Sequence, residues 1–518
     1  MKSKRLFAVL LAVPLTAFLV LAQGQQPTQE AAPGKPVEAA NPGPTSPYRF
    51  DPKRPLEQEL ATSVRDGFIL GTVGDCITSR PLSQYAERDE GFAMVLKILA
   101  QSTALYGNME TSIVDIPEFK GYPYSWGGDW TLRAEPAVAR DLAQMGFHIL
   151  SRANNHAMDW GIEGMRETTR WLDAAGLVHA GVGEDRGLAR MARYFESSKG
   201  RVAIVSMAST YRPESAALQP QGAAPGRPGV SALKLRQITV VPADVMSALA
   251  KMAPELRALR EDELPARPAE EKPASGLPKT LSLFGTDFKL GDKAGYRYEM
   301  DPVDLAEILK SIRLGKEHSD FLVATIHAHE CSPCSFPSLP AAFLQDLAHA
   351  TVQAGADAFV ATGIHHLGPI EIYKGRPIFY GMANFFWSDI QEPLPADLYQ
   401  RNADKLAKAF QFPERATDAD LSNVLNVGSF SNDLTFETVI AQSRFEHGQL
   451  AELRLYPADL GYGRKLTESG IPRLASAERA LKILHRLQTI SEPYGTRIQI
   501  EEMPPFHSVG VVGPQGGK

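Results

Sequence analysis

Short apolar runs rich in β-branched and aromatic residues alternate with longer stretches of helical period along residues 67–381. This alternation predicts an α/β fold in which most strands are buried on both faces. The predicted strands are Gly67–Gly74, Ala104–Asn108, Phe147–Leu150, Arg201–Ser206, Phe321–Ile326, Ala358–Thr362, Ile370–Tyr373 and Pro377–Gly381. The predicted helices are Phe92–Ala100, Pro136–Met145, Glu163–Ala175, Asp301–Leu314 and Pro340–Ala354.

Proline-rich stretches divide the chain into regions. Residues 23–57 are rich in Pro, Ala and Gln, which predicts a disordered spacer. A main domain is predicted over residues 58–460, with an insertion at about 211–298 that contains a helix at Pro242–Arg260. Alternating strand patterns follow Asp433, and residues 461–518 are expected to form a C-terminal helix and a tail that pack on the main domain.

The first 22 residues contain a basic start followed by an uncharged apolar run from Leu6 to Ala22. This pattern is typical of a secretory signal peptide and predicts export to the periplasm, the cell surface or the medium. An uncleaved membrane anchor is the alternative, because the apolar run approaches the length that spans a bilayer.

Composition and charge exclude several classes of protein. Of the 518 residues, 44% are hydrophobic and 22% are charged, which is close to ordinary soluble usage and excludes both a wholly disordered chain and a polytopic membrane protein. The formal net charge is −6 and no basic stripe occurs, so nucleic acid is not expected as a partner. The three cysteines are too few for a disulfide scaffold.

Polar residues of the metal-ligand type follow five of the predicted strands. In α/β folds such side chains collect beyond the carboxyl ends of the strands. Carboxylate, amide and imidazole donors together suit a divalent cation, and two such ions would need a bridging carboxylate or water. We therefore predict one or two divalent ions, among which Mn, Fe, Zn, Mg and Ca are not distinguished. The residues are Asp75; Asn108 and Glu110; Asn154, Asn155 and His156; His327, His329 and Glu330; and His365 and His366.

Five longer segments surround these residues: GDCITSR, GNMETSIVD, RANNHAMDWGIEGM, ATIHAHE and GIHHLGPIEIYKGRPIFYGMANFFW, which lie between Gly67 and Trp387. In order and spacing they resemble the motifs of the CapA family of poly-γ-glutamate capsule synthesis proteins, whose domain is similar to calcineurin-like metallophosphatases. The resemblance implies a four-layer α/β/β/α sandwich with a metal centre at the strand ends. It also implies a role in the biosynthesis of a capsule or of poly-γ-glutamate.

The resemblance further implies roles for individual residues. The metal ligands are expected to be Asp75, Glu110, Asn155, His327 and His365. Catalytic proton transfer is expected from His156 and His329. The other polar residues at the strand ends are expected to contact the substrate, and they are Asn108, Asn154, Glu330 and His366.

Two positions depart from the pattern that the resemblance implies. Ile77 stands where the related phosphatases have a histidine ligand, and Thr362 stands where long-chain members of the family have a histidine. A mononuclear site and a dinuclear site therefore both remain open.

Cys331 and Cys334 directly follow the HAHE segment. In an exported chain this pair is expected to close a small disulfide beside the site. Zinc binding by the two thiolates together with His329 is the alternative. Cys76, next to Asp75, is expected to be buried and inert.

The predicted function is that of a metal-dependent hydrolase or transferase that acts on an extracellular polymer or peptide. Membrane-bound proteins of capsule synthesis or export are the expected partners. A metal-dependent phosphoesterase is the first alternative. The second is a non-catalytic surface component that binds polymer during export, and it differs from the others in needing no turnover.

Overall fold

The computed structural model describes residues 62–124, 130–258, 276–331, 339–387, 393–425 and 432–514. The predicted signal peptide at 1–22 and the predicted spacer at 23–57 lie outside the described residues. Within the described ranges, no helix is both long enough and apolar enough to cross a membrane.

The strands occur along the whole described chain. In the first part they are β1 (Phe68–Ile77), β2 (Ala104–Met109), β3 (Ser112–Ile113), β4 (Arg133–Ala134), β5 (Ile149–Ser151), β6 (Val178–Ala180), β7 (Val182–Gly183), β8 (Arg193–Ser197), β9 (Gly200–Ala208), β10 (Gly229–Val230), β11 (Leu235–Val241), β12 (Thr280–Leu283), β13 (Thr286–Leu290) and β14 (Gly295–Met300). In the second part they are β15 (Phe321–His327), β16 (Ala358–Thr362), β17 (Ile370–Tyr373), β18 (Arg376–Phe379), β19 (Asn384–Trp387), β20 (Glu437–Glu446), β21 (Gln449–Asp459), β22 (Arg473–Leu474), β23 (Gln499–Glu502) and β24 (Ser508–Val512).

Four of the described α-helices begin at a residue whose side chain caps the first turn, and these caps are Asp89, Asp185, Asp301 and Ser476. The Asp89 side chain accepts a hydrogen bond from the Phe92 amide at 3.1 Å, and Asp301 caps a helix whose first residue is Pro302. The helices are α1 (Glu90–Leu99), α2 (Ala137–Gln144), α3 (Gly161–Ala174), α4 (Arg186–Arg190), α5 (Ala243–Ala258), α6 (Pro302–Glu317), α7 (Ala342–Gln353), α8 (Ala396–Arg401), α9 (Ala403–Ala409), α10 (Asp418–Leu425) and α11 (Ala477–Ser491).

Two large sheets face each other across a shared core. The first has the strand order β23-β24-β21-β20-β1-β2-β5-β6, with β19 pairing with β1 and β22 with β21. The second has the order β17-β18-β16-β15-β9-β8. The strands β1, β2, β5 and β6 run parallel to one another, as do β9, β15, β16 and β18.

Regular alternation of side chains sets the two faces of the central strands of the second sheet. In β15, Phe321 and Val323 point into the core between the sheets, whereas Leu322 and Ala324 point to the opposite face. The same alternation holds in β9 and β16. Because the period of a strand is two, His327 lies on the same inner face as Phe321 and Val323.

Helices cover both outer faces of the pair of sheets. Residues of α1, α2 and α3 pack with the outward residues of β1 and β2 in one core. Residues of α6 and α7 pack with those of β9 and β15 in another. The order of layers is therefore helix, sheet, sheet, helix, and the predicted four-layer α/β/β/α sandwich is confirmed.

A smaller sheet of four strands, in the order β12-β13-β11-β14, lies in the chain between β10 and α6. Its apolar core includes Met246 of α5 and Leu281 of β12. The Tyr298 ring of β14 lies 6.0 Å from that of Phe343 on α7, between ring centroids. This contact attaches the small sheet to the helix layer of the second large sheet.

A buried ion pair connects α6 to the second large sheet. Lys316 Nζ lies 2.8 Å from Asp357 Oδ2, and the two side chains are 3% and 4% exposed. Lys316 Nζ also donates hydrogen bonds to the carbonyl oxygens of Thr62 and Asp320. Asp357 additionally accepts a hydrogen bond from the Leu322 amide of β15.

We expect Lys316→Met to lower the free energy of unfolding by about 3 kcal/mol, because it leaves the Asp357 carboxylate buried without its closest cation. Urea unfolding followed by circular dichroism measures this change. Arg166→Met is the control, since Arg166 pairs with Glu184 where the side chains are 54% and 50% exposed. Such a surface pair contributes up to about 1 kcal/mol, and equal losses in the two variants would contradict the prediction.

Candidate metal centre

The carboxyl ends of β1, β2 and β5 in the first sheet meet those of β15 and β16 in the second. Asn108 is on the inner face of β2, and His327 is the last residue of β15. Their side chains approach across the gap between the sheets, with 3.2 Å between Asn108 Nδ2 and His327 Nδ1. Below them, Tyr106 Oη and Thr325 Oγ1 are 2.5 Å apart and join the same two strands.

An irregularity in β1 turns Asp75 toward this gap. Thr72 pairs with Tyr106 and Asp75 with Asn108, so three steps along β1 match two along β2. Such a bulge changes the face on which the following residues lie. Gly74 is required here, because a Cβ at that position would lie 1.9 Å from the Ala383 carbonyl oxygen.

The sequence predicts that the first strand ends just before Asp75. In the structure, Asp75 instead lies within that strand. Strand β1 continues to Ile77 because β19 pairs with it in parallel, with Asp75 opposite Asn384. The sequence pattern missed this extension because β19 is far along the chain from β1.

The first group of ligand-type side chains consists of Glu110, His327 and His329, whose donor atoms all lie within 4.8 Å of one another. His327 Nε2 is 3.3 Å from Glu110 Oε1 and 3.0 Å from His329 Nε2. The Glu110 and His327 side chains are fully buried. His329, predicted as a catalytic residue, is thus also placed as a potential ligand.

The second group consists of Asp75, Glu110 and His365, again with donor atoms within 4.8 Å of one another. His365 Nδ1 lies 3.5 Å from Asp75 Oδ2 and 2.8 Å from Asn384 Oδ1. His365 has a φ of 54°, a left-handed conformation that is uncommon for residues other than glycine. Among the described residues, Glu110 is the side chain that belongs to both groups.

Burial controls the protonation of two of these groups. It raises the pKa of the Asp75 carboxyl above its usual range, against the opposing effects of His365 and of the hydrogen bond from Asn108. Burial, reinforced by the neighbouring imidazoles of His329 and His365, holds the pKa of His327 well below its usual range. His327 is therefore neutral near pH 7, which is the form of imidazole that binds a metal ion.

The donor set fits a divalent cation. Two buried carboxylates and three imidazoles converge in two groups that share Glu110, and this mixture of oxygen and nitrogen donors is typical of borderline divalent ions. Thr362, at a position where the resemblance suggests histidine, has its Oγ1 3.3 Å from His327 Nδ1. The predicted involvement of a metal is therefore supported by the geometry of residues that are far apart in the chain.

Asn108 and Asn154, predicted to contact substrate, form a hydrogen-bonded support behind the ligand-type residues. Asn108 Nδ2 donates to Asp75 Oδ1 at 2.8 Å. Asn154 Nδ2 donates to the Met109 carbonyl oxygen at 2.9 Å and to Asn108 Oδ1 at 3.3 Å. Both residues are buried, so they hold Asp75 and His327 in position from behind.

We expect Asn108→Leu to weaken metal affinity by about 10–100-fold, because the change removes a hydrogen bond that orients Asp75. Titration of the metal-free protein with Mn or Zn, followed by calorimetry, measures the loss. Asn402→Leu is the matched control, since the Asn402 amide donates to the Leu398 carbonyl oxygen away from the site. Unchanged affinity in Asn108→Leu would show that the support is dispensable.

His156 is held by an acidic residue three positions later in the chain. Its Nδ1 lies 2.7 Å from Asp159 Oδ2, and Asp159 Oδ2 also accepts a hydrogen bond from the Leu132 amide at 2.7 Å. Arg212 Nη1 lies 3.9 Å from Asp159 Oδ1. Asn155 is buried in the same loop, and its role as a ligand stays a prediction.

Glu330 contacts two hydroxyl groups that the sequence analysis missed. Its Oε2 accepts hydrogen bonds from Ser209 Oγ at 2.7 Å and from Thr210 Oγ1 at 3.2 Å. Thr210 Oγ1 also accepts one from the His329 amide at 2.7 Å. Both hydroxyl residues directly follow β9, so the rule applied to the other strand ends would have found them.

The remaining predicted residues are placed as follows. His366 is buried, with its Nδ1 3.4 Å from the Leu367 carbonyl oxygen, and burial lowers its pKa to about 4. Its predicted contact with substrate stays a prediction. Cys331 is disulfide-bonded, whereas Cys76 is free and buried. Cys334, its predicted partner, lies outside the described residues.

Comparison with known proteins shows to which family the chain belongs. The sequence model of the bacterial capsule synthesis protein family PGA_cap matches residues 69–388. An uncharacterized protein of Sinorhizobium fredii, designated y4sH, is 43% identical over 463 residues, which are 87% of this chain and 95% of the relative.

More distant relatives have descriptive names. The PGA biosynthesis protein CapA of Bacillus subtilis is 23% identical over 316 residues, which cover 60% of this chain and 61% of the relative. A probable polyglutamine synthesis accessory protein of Mycobacterium tuberculosis is 24% identical over 278 residues, or 53% of each chain. The family match includes all the ligand-type residues described above, and its fold is metallophosphatase-like. The chain therefore belongs to the PGA_cap family of bacterial capsule synthesis proteins.

Proposed function

We propose that this member of the capsule synthesis family is an exported, metal-dependent hydrolase or transferase that acts on an extracellular polymer or peptide. The observation that supports it best is the placement of Glu110 in two ligand groups at one end of the gap between the sheets. Five side chains of the metal-ligand type in and beside a buried core are costly to a fold, and a bound ion would offset that cost. A protein that only binds polymer has little need for such a cluster.

The residues divide into those that hold the ion and those that move protons. Asp75, Glu110, His327, His329 and His365 would hold one or two divalent ions. A bound ion supplies Lewis-acid chemistry, since it polarises the carbonyl or phosphoryl oxygen of a substrate.

His156 is the proposed proton donor or acceptor. Because Asp159 occupies its Nδ1, proton exchange with a substrate falls to Nε2. Glu330 is the second candidate, and burial raises the pKa of its carboxyl above the usual range. A carboxyl of raised pKa retains its proton to higher pH and can therefore donate one to a leaving group.

The substrate and the location follow from the relatives and from the sequence. Two of the relatives are named for PGA biosynthesis and for polyglutamine synthesis, which supports poly-γ-glutamate or a peptide with similar linkages as the proposed substrate. The predicted signal peptide supports a location outside the cytoplasm. Membrane-bound proteins of capsule synthesis or export are the proposed partners.

The proposal is tested with purified residues 23–518 loaded with Mn, Zn or Fe and incubated with poly-γ-glutamate. Size-exclusion chromatography measures the length of the polymer, and an amine-reactive dye measures newly formed termini. Metal-dependent shortening or transfer supports the proposal. A sample treated with a chelator is the control.

A generic phosphodiester is assayed on the same samples, because the metallophosphatase-like fold makes a phosphoesterase the alternative. Turnover of the diester alone would replace the proposed activity with that one. A protein that is fully loaded with metal and silent toward both substrates would instead be a surface component that binds polymer without reacting.

A further inference from the structure

A pocket of about 440 Å³ lies between the segment that follows β1 and the segment that follows β21. Its lining consists of Tyr85, Thr467, three arginines (Arg88, Arg464 and Arg473) and two acidic residues (Asp89 and Glu468). A cavity of this volume can accommodate a small polar group or one unit of a polymer. None of its residues is among those assigned above to the metal or to proton transfer.

The pocket is at the same edge of the first sheet as the metal centre. Strands β1 and β21 are each antiparallel to β20 and so run in the same direction. Arg473 pairs with Asp459 at the carboxyl end of β21. The Arg80 side chain, just beyond the end of β1, donates to the Thr467 carbonyl oxygen at 2.9 Å.

Trp387 connects the pocket to the metal centre. The centroid of its ring lies 5.2 Å from that of His365. Its backbone amide donates to the Gly470 carbonyl oxygen at 2.9 Å, within the loop that contributes Arg464 and Glu468. A ligand that extends past Trp387 would therefore meet both places.

The charges in the pocket are not balanced. Arg473 forms an ion pair with Asp89, with 2.6 Å between Nε and Oδ2. It also donates hydrogen bonds to the carbonyl oxygens of Glu468 and Ile471. Arg88 and Arg464 are exposed. In the described part of the chain, no ion pair within 4.0 Å engages either of them. Of the two acidic lining residues, Asp89 pairs with Arg473, so Glu468 is left to oppose these two guanidinium groups.

Aromatic packing orients one of these cations. The Arg88 guanidinium carbon lies 4.3 Å from the centroid of the Tyr85 ring, and that of Arg80 lies 5.4 Å from the same centroid. Tyr85 is 9% exposed, so its ring is a fixed surface. Stacking restricts the guanidinium plane, which lowers the entropy lost when its forked donors bind a carboxylate.

We propose that this pocket is an anion subsite in which Arg88 and Arg464 bind a pendant carboxylate of an extended substrate while another part of that substrate lies at the metal centre. The inference rests on the proposed function and deepens it, because it assigns the substrate a negatively charged group outside the part that reacts. The matching chemistry is a polymer of acidic residues rather than a neutral polysaccharide.

The test is the affinity of the metal-free full chain for a fluorescent γ-linked glutamate oligomer, measured by anisotropy at low ionic strength. We expect Arg88→Gln/Arg464→Gln to raise the Kd by about tenfold. Lys97→Gln/Arg140→Gln is the matched control, because it removes the same charge from two exposed helix positions outside the pocket. Its Kd should equal that of the unaltered protein. Equal weakening in both double variants would overturn the proposal, since it would indicate unspecific attraction.

Competition with unlabelled ligands tests whether the pocket binds carboxylates or phosphates. A γ-linked isoglutamine oligomer, in which every pendant α-carboxylate is replaced by a carboxamide, should not displace the probe. Displacement by inorganic tripolyphosphate at lower concentration than by the unlabelled glutamate oligomer would overturn the assignment to carboxylate. Because no metal is present, the result does not depend on turnover. A chain that binds the oligomer through the arginines and does not cleave it would contradict the proposed function alone.

Discussion

Replacement of Glu110 by glutamine should remove bound metal from both ligand groups at once. Glu110 is shared by the group with His327 and His329 and by the group with Asp75 and His365. Glutamine retains the size of the side chain but not its negative charge, so the fold should persist while affinity falls at least about 100-fold. Elemental analysis of the purified variant, after reconstitution with Mn, Zn or Fe, measures this loss.

Glu371→Gln is the control for a buried acidic residue elsewhere. Glu371 is buried and accepts a hydrogen bond from the Tyr380 hydroxyl at 2.6 Å, away from both ligand groups. Its metal content should equal that of the unaltered protein. If Glu110→Gln retained a full complement of metal, the bridging placement inferred for Glu110 would be wrong.

Replacement of His156 by alanine should lower kcat by about 10²–10⁴-fold, because the variant lacks the proposed proton-transfer group. The bound metal should stay unchanged, since His156 is in neither ligand group. The combination of lost turnover and retained metal separates proton transfer from a ligand role. The polymer assay and elemental analysis on the same samples measure the two quantities.

Two further variants test whether the loss of turnover is specific to the His156 imidazole. Asp159→Asn should reduce kcat by less than His156→Ala does, because it alters the group that holds Nδ1 and leaves the imidazole in place. His485→Ala is the control, since His485 is exposed on α11. Loss of metal in His156→Ala would instead assign His156 to the metal centre.

The sequence could predict the site residues of strands in which inward and outward side chains alternate regularly. Phe321 and Val323 indicate which side chains of β15 point to the inner face. Because every second residue points to the same face, His327 points there too. Asp75 is different, because the bulge in β1 reverses the faces between Thr72 and Asp75. Gly74 has no side chain whose polarity would reveal the change, so alternation alone could not show it.

Long-range pairing explains most of what the sequence did not show. Asn384 orients His365 only because β19 inserts beside β1. The arginine pocket likewise joins a loop after β1 to a loop after β21. Ser209 and Thr210 were missed for another reason, because hydroxyl residues after a strand are usually taken as turn formers.

The geometry of the candidate metal centre also has a consequence for the stage of folding at which an ion could bind. The hydrogen-bonded contact between Asn108 and His327 spans 219 residues of chain, and that between Gly363 and Asp75 spans 288. Loops of this length close only once most of the domain is present, so the ligands converge late in folding. An ion captured by the completed site stabilises the folded chain. The compartment in which folding ends therefore determines which divalent ions are available to it.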